Sequence, residues 1–183
     1  MTAGGGAVCN LQASPVIRGC LFEGNTDHGG YYGSGGGAIL NCWDSSLSSP
    51  SPPFPTKAVV ENCVFLENSS DYNGGAICNL RYPLAVTNCT FAANASAYGY
   101  AGTLYNGDGY YIYNSIAQPR MTNCVILGSG SSSDHAIDDA FDPTSSYSLL
   151  VSHSCIPGGY AGTDNIDADP LFVNLESGDF RLS

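Results

Sequence analysis

A chain of 183 residues is long enough for one domain with a core of its own. It carries a net charge of −11 with only 5 Lys and Arg. That is too few cations to neutralise a run of phosphates or an anionic lipid surface, so nucleic-acid binding is excluded as an expectation. No apolar stretch reaches the roughly 18–20 residues of a membrane-spanning helix, so no membrane insertion is expected either.

Charged residues make up only 11%, Gly numbers 23, and 43% of the residues are hydrophobic with a regular Val/Ile/Phe pattern. Disordered chains lack such a pattern, so the composition reads as a turn-rich β protein. In chain order the elements repeat. The stretch 5–25 reads "GGAVCNLQASPVIRGCLFEGN", with short β-like runs at "AVCN" and "VIRGCLF". The stretch 36–68 repeats them as "AILN" and "VVENCVF", and 74–94 as "AICN" and "AVTNCTF". A looser copy follows with "TLYN" and "RMTNCVI", and His135-Ala136 opens a further one. The starts at Gly6, Gly37, Gly75, Gly102 and His135 lie 31, 38, 27 and 33 residues apart. A constant phrase at a variable period means a constant core with variable loops.

Neither run is long enough for a helix, and each alternates every second side chain onto one face. A unit this small cannot bury its apolar face alone but can when stacked on copies of itself. The expectation is all-β: a single-stranded right-handed parallel β-helix, or solenoid, of about five to six coils. Equivalent residues then form columns. Asn10, Asn41, Asn79 and Asn106 make one, continued by Asp139; Asn25, Asn68 and Asn94 make another; Asn62, Asn88 and Asn123 a third. Asn is expected there both for a left-handed corner and for an amide ladder. Phe22, Phe65, Phe91 and then Ile126 are expected to fill the interior. Cys20, Cys63, Cys89, Cys124 and Cys155 share a column, as do Cys9 and Cys78 with Leu40 between them. Residues stacked this way point alike at about 4.8 Å, whereas a disulfide needs converging Cβ atoms about 3.8 Å apart, so these thiols read as small buried hydrophobes.

The phrases "GGAV", "GGAI" and "GGAI", paired with "FEGN", "FLEN" and "FAAN", resemble the GGAI and FxxN repeats of polymorphic outer membrane proteins. They are similar to the wider pectin-lyase-like β-helix repeats of bacterial surface proteins, and "NIDADPLFVNLESGDFRLS" (165–183) resembles their closing segment. The resemblance covers most of residues 4–183 and implies a single β-helix domain at the cell surface or outside it. It also implies adhesion or the binding or cleavage of polysaccharide. The opening "MTAGGGAVCN" has no basic or apolar leader, and the chain reads as a piece of a longer protein.

Loop insertions collect after the first Asn column and carry Trp43, Phe54, Tyr82, Tyr110, Tyr111, Tyr113, Phe141 and Tyr147. Loops after the second Asn column carry Tyr31, Tyr32, Tyr72, Tyr98 and Tyr100. Tyr and Trp offer a flat apolar body with a polar tip, suited to a sugar ring or a partner surface, and equally suited to covering the edge of a stack. Trp43, Phe54, Tyr82, Tyr110, Tyr111 and Tyr113 are the candidate binding residues. Asp134, Asp138, Asp139 and Asp142 are candidate Ca2+ ligands, against a role in capping turns. His28, His135 and His153 fall in different columns. The expected function is a non-catalytic adhesive or carbohydrate-binding module, and the alternative is a polysaccharide lyase or glycoside hydrolase. The second needs paired carboxylates across a substrate, and Asp138 and Asp139, neighbours on a strand, point to opposite faces. The expected partners are a polysaccharide or a surface protein of a host or neighbour, with self-association through uncapped strand edges.

Overall fold

The computed structural model describes residues 4–29, 35–42, 57–80, 82–99, 101–107, 118–128, 130–131, 135–140, 145, 148–174, 177 and 179–182. Among the described residues every regular element is a strand, and no helix is present that could cross a membrane. The first unit contains β1 (Val8–Leu11), β2 (Val16–Arg18), β3 (Leu21–Glu23) and β4 (Thr26–Asp27). The second contains β5 (Ile39–Cys42), β6 (Ala58–Glu61), β7 (Val64–Leu66) and β8 (Ser69–Ser70). The third contains β9 (Ile77–Leu80), β10 (Leu84–Thr87), β11 (Thr90–Ala92) and β12 (Ala95–Ser96). The fourth contains β13 (Leu104–Gly107), β14 (Arg120–Thr122), β15 (Val125–Leu127) and β16 (Gly130–Ser131). Then come β17 (Ile137–Asp139), β18 (Leu150–Ser152), β19 (Gly162–Thr163), β20 (Phe172–Asn174) and β21 (Asp179–Leu182).

Each strand pairs in parallel with its equivalent in the next unit. This makes four sheets: β1-β5-β9-β13-β17, β2-β6-β10-β14-β18-β19, β3-β7-β11-β15 and β4-β8-β12-β16. Among the described residues only β20 and β21 pair antiparallel. The register keeps like on like. Phe22 pairs with Phe65, Phe65 with Phe91, and Phe91 with Ile126. The Phe rings stack with centroids 4.8 and 4.7 Å apart and planes 7° and 9° from parallel. Strand pairing thus sets the ring spacing, and Phe65 and Phe91 are fully buried. Val60, Val86, Met121 and Val151 fill the core beside them, facing Ile39, Ile77 and Leu104 from the first sheet. In the middle of the first sheet β5, β9 and β13 are buried on both faces, because Leu40, Cys78 and Tyr105 pack outside it with Ala101. All eight thiols are unbridged; Cys63, Cys89 and Cys124 lie in the core, whereas Cys9 and Cys20, expected to be buried with their columns, are exposed in the first unit, where their strands have a neighbour on one side only among the described residues.

The run Val-x-Asn-Cys-x-Phe, expected as one strand, is two strands with a corner between them. Asn62, Asn88 and Asn123 occupy that corner with φ of 54°, 53° and 53°, and Gly19 takes the same place at 59°. The next corner holds Gly24, Glu67, Ala93 and Gly128, with φ of 62°, 53°, 52° and 55°. The asparagines of the two longer columns are not at left-handed positions, which corrects the expectation for them, whereas in the third column Asn62 and Asn88 serve both needs: from left-handed corners, Asn88 Nδ2 donates to Asn62 Oδ1 at 3.3 Å.

Spacing around the unit is uneven in a regular way. Val16, Leu21 and Thr26 stand five residues apart, and so do their partners Val59, Val64 and Ser69, then Ala85, Thr90 and Ala95, then Arg120, Val125 and Gly130. All length variation falls on the two sides of the first sheet. The Gly-Gly-Ala phrase marks the return to that sheet. A Cβ on Gly37 would lie 1.9 Å from the Gly75 carbonyl oxygen, and one on Gly75 would lie 2.1 Å from that of Gly102. Backbone meets backbone there with no room for a side chain.

Candidate functional site

Two side-chain ladders run up the stack with one polarity. Asn10 Nδ2 donates to Asn41 Oδ1, Asn41 Nδ2 to Asn79 Oδ1 at 2.6 Å, Asn79 to Asn106 at 2.8 Å, and Asn106 to Asp139 Oδ1 at 2.8 Å. In the second, Asn25 Nδ2 donates to Asn68 Oδ1 at 2.8 Å and Asn68 Nδ2 to Asn94 Oδ1 at 2.9 Å. The backbone N–H groups of Asn25 and Asn68 donate to the same two oxygens. These ladders hold rigid the turns that follow them.

The turn after β8 carries Tyr72. Ser70 Oγ accepts the backbone N–H groups of Tyr72 and Asn73 at 3.2 and 3.1 Å and donates to the Asn73 carbonyl at 3.0 Å. One unit on, Ser96 Oγ donates to the Tyr72 carbonyl at 2.9 Å, and Tyr98 N–H donates to the Asp71 carbonyl at 2.7 Å. Gly99 lies against the same turn: a Cβ there would overlap the Tyr72 carbonyl oxygen at 0.9 Å. The result is a pair of rings, Tyr72 and Tyr98, with centroids 5.9 Å apart and planes tilted by 39°. Tyr98 is 74% exposed. Beside them His28 Nδ1 and Asp71 Oδ1 lie 3.4 Å apart, both accessible to solvent. A flat aromatic surface next to a carboxylate and an imidazole, on fixed backbone, can take the apolar face of a ring and hydrogen-bond its polar rim.

The stacking of this pair is legible in the sequence, where both stand among the tyrosines that follow the second Asn column. Tyr72 lies four residues after Asn68, and Tyr98 four after Asn94. Since those asparagines stack, the tyrosines had to stack too. Tyr31, Tyr32 and Tyr100, which follow the same Asn column in the sequence, lie outside the described residues.

Of the residues predicted to bind, Trp43, Phe54, Tyr110, Tyr111 and Tyr113 also lie outside the described residues, as do Phe141 and Tyr147. Tyr82 is 1% exposed, so its ring is covered rather than open to a ligand, and burial pushes its phenol up. Of the candidate Ca2+ ligands, Asp134 and Asp142 lie outside the described residues. Asp139 closes the first ladder: besides Asn106 it accepts the Ser148 hydroxyl at 2.7 Å and the Leu149 N–H at 2.6 Å. Asp138 is half-buried, and desolvation raises its carboxyl above the ordinary value, His135 opposing and Asp139 reinforcing the shift. Near them Tyr160 is pushed up to about 12, by burial first and then by Asp139 and Asp138. Among the described residues no group of three or more His, Cys, Asp or Glu side chains is placed to hold a metal ion.

Comparison of the chain with protein-family models, with curated proteins and with solved structures gives no match.

Proposed function

We propose that the chain is a right-handed parallel β-helix of the pectin-lyase-like kind, working outside the cell or at its surface as a non-catalytic module that binds carbohydrate. The ordered return of each unit to the same four sheets supports the β-helix reading, and the right-handed sense follows from crossover chirality. The observation that carries the binding reading is the Tyr72–Tyr98 pair, with 74% of Tyr98 open to solvent on a turn fixed by Ser70 and Ser96. Sugar rings stack on such surfaces, and the adjoining Asp71 and His28 supply hydrogen-bonding groups for their hydroxyls. An acidic chain of this kind repels polyanions, so neutral or cationic glycans are the favoured class.

A glycan array tests this. The chain retains a defined set of neutral or amino-sugar glycans, and Tyr98→Ala loses them while its thermal unfolding is unchanged. An array with no retained glycan, or retention indifferent to Tyr98→Ala, sinks the proposal.

A further inference from the structure

The side of the stack that carries the Tyr72–Tyr98 pair is acidic. The segments that follow the second Asn column, 26–35, 69–74, 95–101 and 128–134, contain no Lys or Arg, while they hold Asp27, Asp71 and Asp134. Asp71 is the residue before Tyr72, and its carbonyl accepts the Tyr98 N–H at 2.7 Å. One backbone unit thus ties a carboxylate to both ring-bearing turns. The Asp71 N–H in turn donates to the Asp27 carbonyl at 3.1 Å. Asp27 takes the register position of Ser70 one unit below and is 7% exposed, and its Oδ2 accepts the Gly29 N–H at 3.1 Å. A second negative charge therefore lies under the same turn, at a depth where water and salt screen it less than on open surface.

The Asp71 carboxylate has a weak partner. Among the described residues it meets only the His28 imidazole, and 3.4 Å from Nδ1 to Oδ1 is long for a charge-assisted hydrogen bond. A sugar hydroxyl offers this carboxylate an ordinary hydrogen bond. A protonated amine offers a charge-assisted one and also brings a cation to the faces of Tyr72 and Tyr98. A uronate sets like charges together, with no Lys or Arg on this side to offset them. The three classes therefore rank amino sugar, neutral sugar, acidic sugar.

Resting on the carbohydrate-binding reading above, we propose that the Tyr72–Tyr98 site selects amino sugars, with Tyr98 taking the face of the sugar ring and Asp71 the ammonium group. Tyr98 brings affinity for sugar rings in general, and Asp71 determines which ring is preferred.

The probes are three β-1,4-linked tetramers on one backbone, of glucosamine, of N-acetylglucosamine and of glucose. Each is titrated into the chain by calorimetry at mildly acid pH, where the free amines carry charge. The glucosamine tetramer is expected to bind about five- to tenfold more tightly than the other two. Asp71→Asn keeps the shape and removes the charge, so it brings the glucosamine tetramer down to the affinity of the glucose tetramer and leaves the latter unchanged. Asp164→Asn removes the same charge at the corner after β19, where a φ of 55° suits asparagine, and keeps the preference. That control separates a local contact from the general pull of an acidic chain on a polycation. Tyr98→Ala weakens the glucosamine and glucose tetramers alike. Equal affinities for all three tetramers, each lost with Tyr98→Ala, overturn the selection of amino sugars and leave the carbohydrate reading standing. A preference that survives Asp71→Asn, or that Asp164→Asn removes as fully, overturns the role of Asp71. Binding of none of the three overturns the inference, and the wider glycan array then decides the carbohydrate reading by itself.

Discussion

Asn106 gives its Nδ2–H to Asp139 Oδ1 at 2.8 Å, and with that bond the first amide ladder ends in a group that can only accept. Every rung below donates an amide N–H upward. Asp139 donates none, and its other oxygen accepts the Ser148 hydroxyl and the Leu149 N–H. Asp139→Asn sets an amide donor against one of those donors. The expected cost is about 1–3 kcal/mol, read as a lowered urea midpoint, with faster hydrogen exchange at the Leu149 amide. An unchanged midpoint would show that the charge at the top of the ladder does not matter.

Interior rungs matter more than the lowest one. Asn79→Ala leaves the Asn41 amide without its acceptor and Asn106 Oδ1 without its donor, both in residues 1% exposed. About 1–3 kcal/mol is lost for each orphaned group. Asn10→Ala orphans no amide donor above it and costs less. Equal unfolding midpoints for the two variants contradict the ladder.

Phe65 is held between the rings of Phe22 and Phe91. Phe65→Ala therefore costs about 3–5 kcal/mol by leaving a cavity in the stack. Phe22→Ala, at a position 8% exposed and stacked on a single ring among the described residues, costs clearly less by chemical denaturation because solvent and side chains can close around it.

Left-handed backbone at Ala93, φ 52°, carries a steric cost that glycine does not pay. Ala93→Gly stabilises by roughly 0.5–1 kcal/mol, the relief of strain exceeding the added freedom of the unfolded chain. Asn88→Ala at φ 53° moves the other way by about 1 kcal/mol. Thermal melts of the two single variants check the opposite signs.

Alkaline pH loosens the fold. Burial pushes the Cys63 thiol from its ordinary 9.0 up to about 11, and Tyr160 from 10.0 up to about 12, while fully buried Cys78 is raised well above 9.0. The unfolded chain releases these protons first, so the stability they contribute is whole below about pH 9 and drains away as pH rises towards 11 and 12. Urea midpoints from pH 8 to pH 11 should fall, and the Cys63→Ala variant should fall less steeply. A flat profile in the parent chain counts against the assignment.

How much of this lay open in the sequence depended on whether a residue's job was set by the repeat. Phe22, Phe65 and Phe91 had to stack, because parallel register returns each unit to the same column. The corner at Asn62, Asn88 and Asn123 was hidden, since Asn appears in both ladder and corner and only the φ angle separates the two. Tyr82 reads as a loop aromatic in the sequence, yet in the short gap from Leu80 to Leu84 its ring is covered, at 1% exposure, without belonging to the repeat's core columns. The Tyr72–Tyr98 pair was the reverse case: common spacing from Asn68 and Asn94 placed it, although the local composition looked like any Gly- and Tyr-rich turn.

The five-residue step from β2 through β3 to β4 has an evolutionary corollary. One residue added between Val59 and Ser69 would throw the Phe and Asn columns out of line, whereas the gap between Ile39 and Val59 already runs 20 residues against 8 between Val8 and Val16. Mutation is thereby channelled. Drift and grafted sequence can accumulate on both flanks of the first sheet, and an engineer wishing to display a foreign peptide would open the chain there and nowhere between Val16 and Thr26.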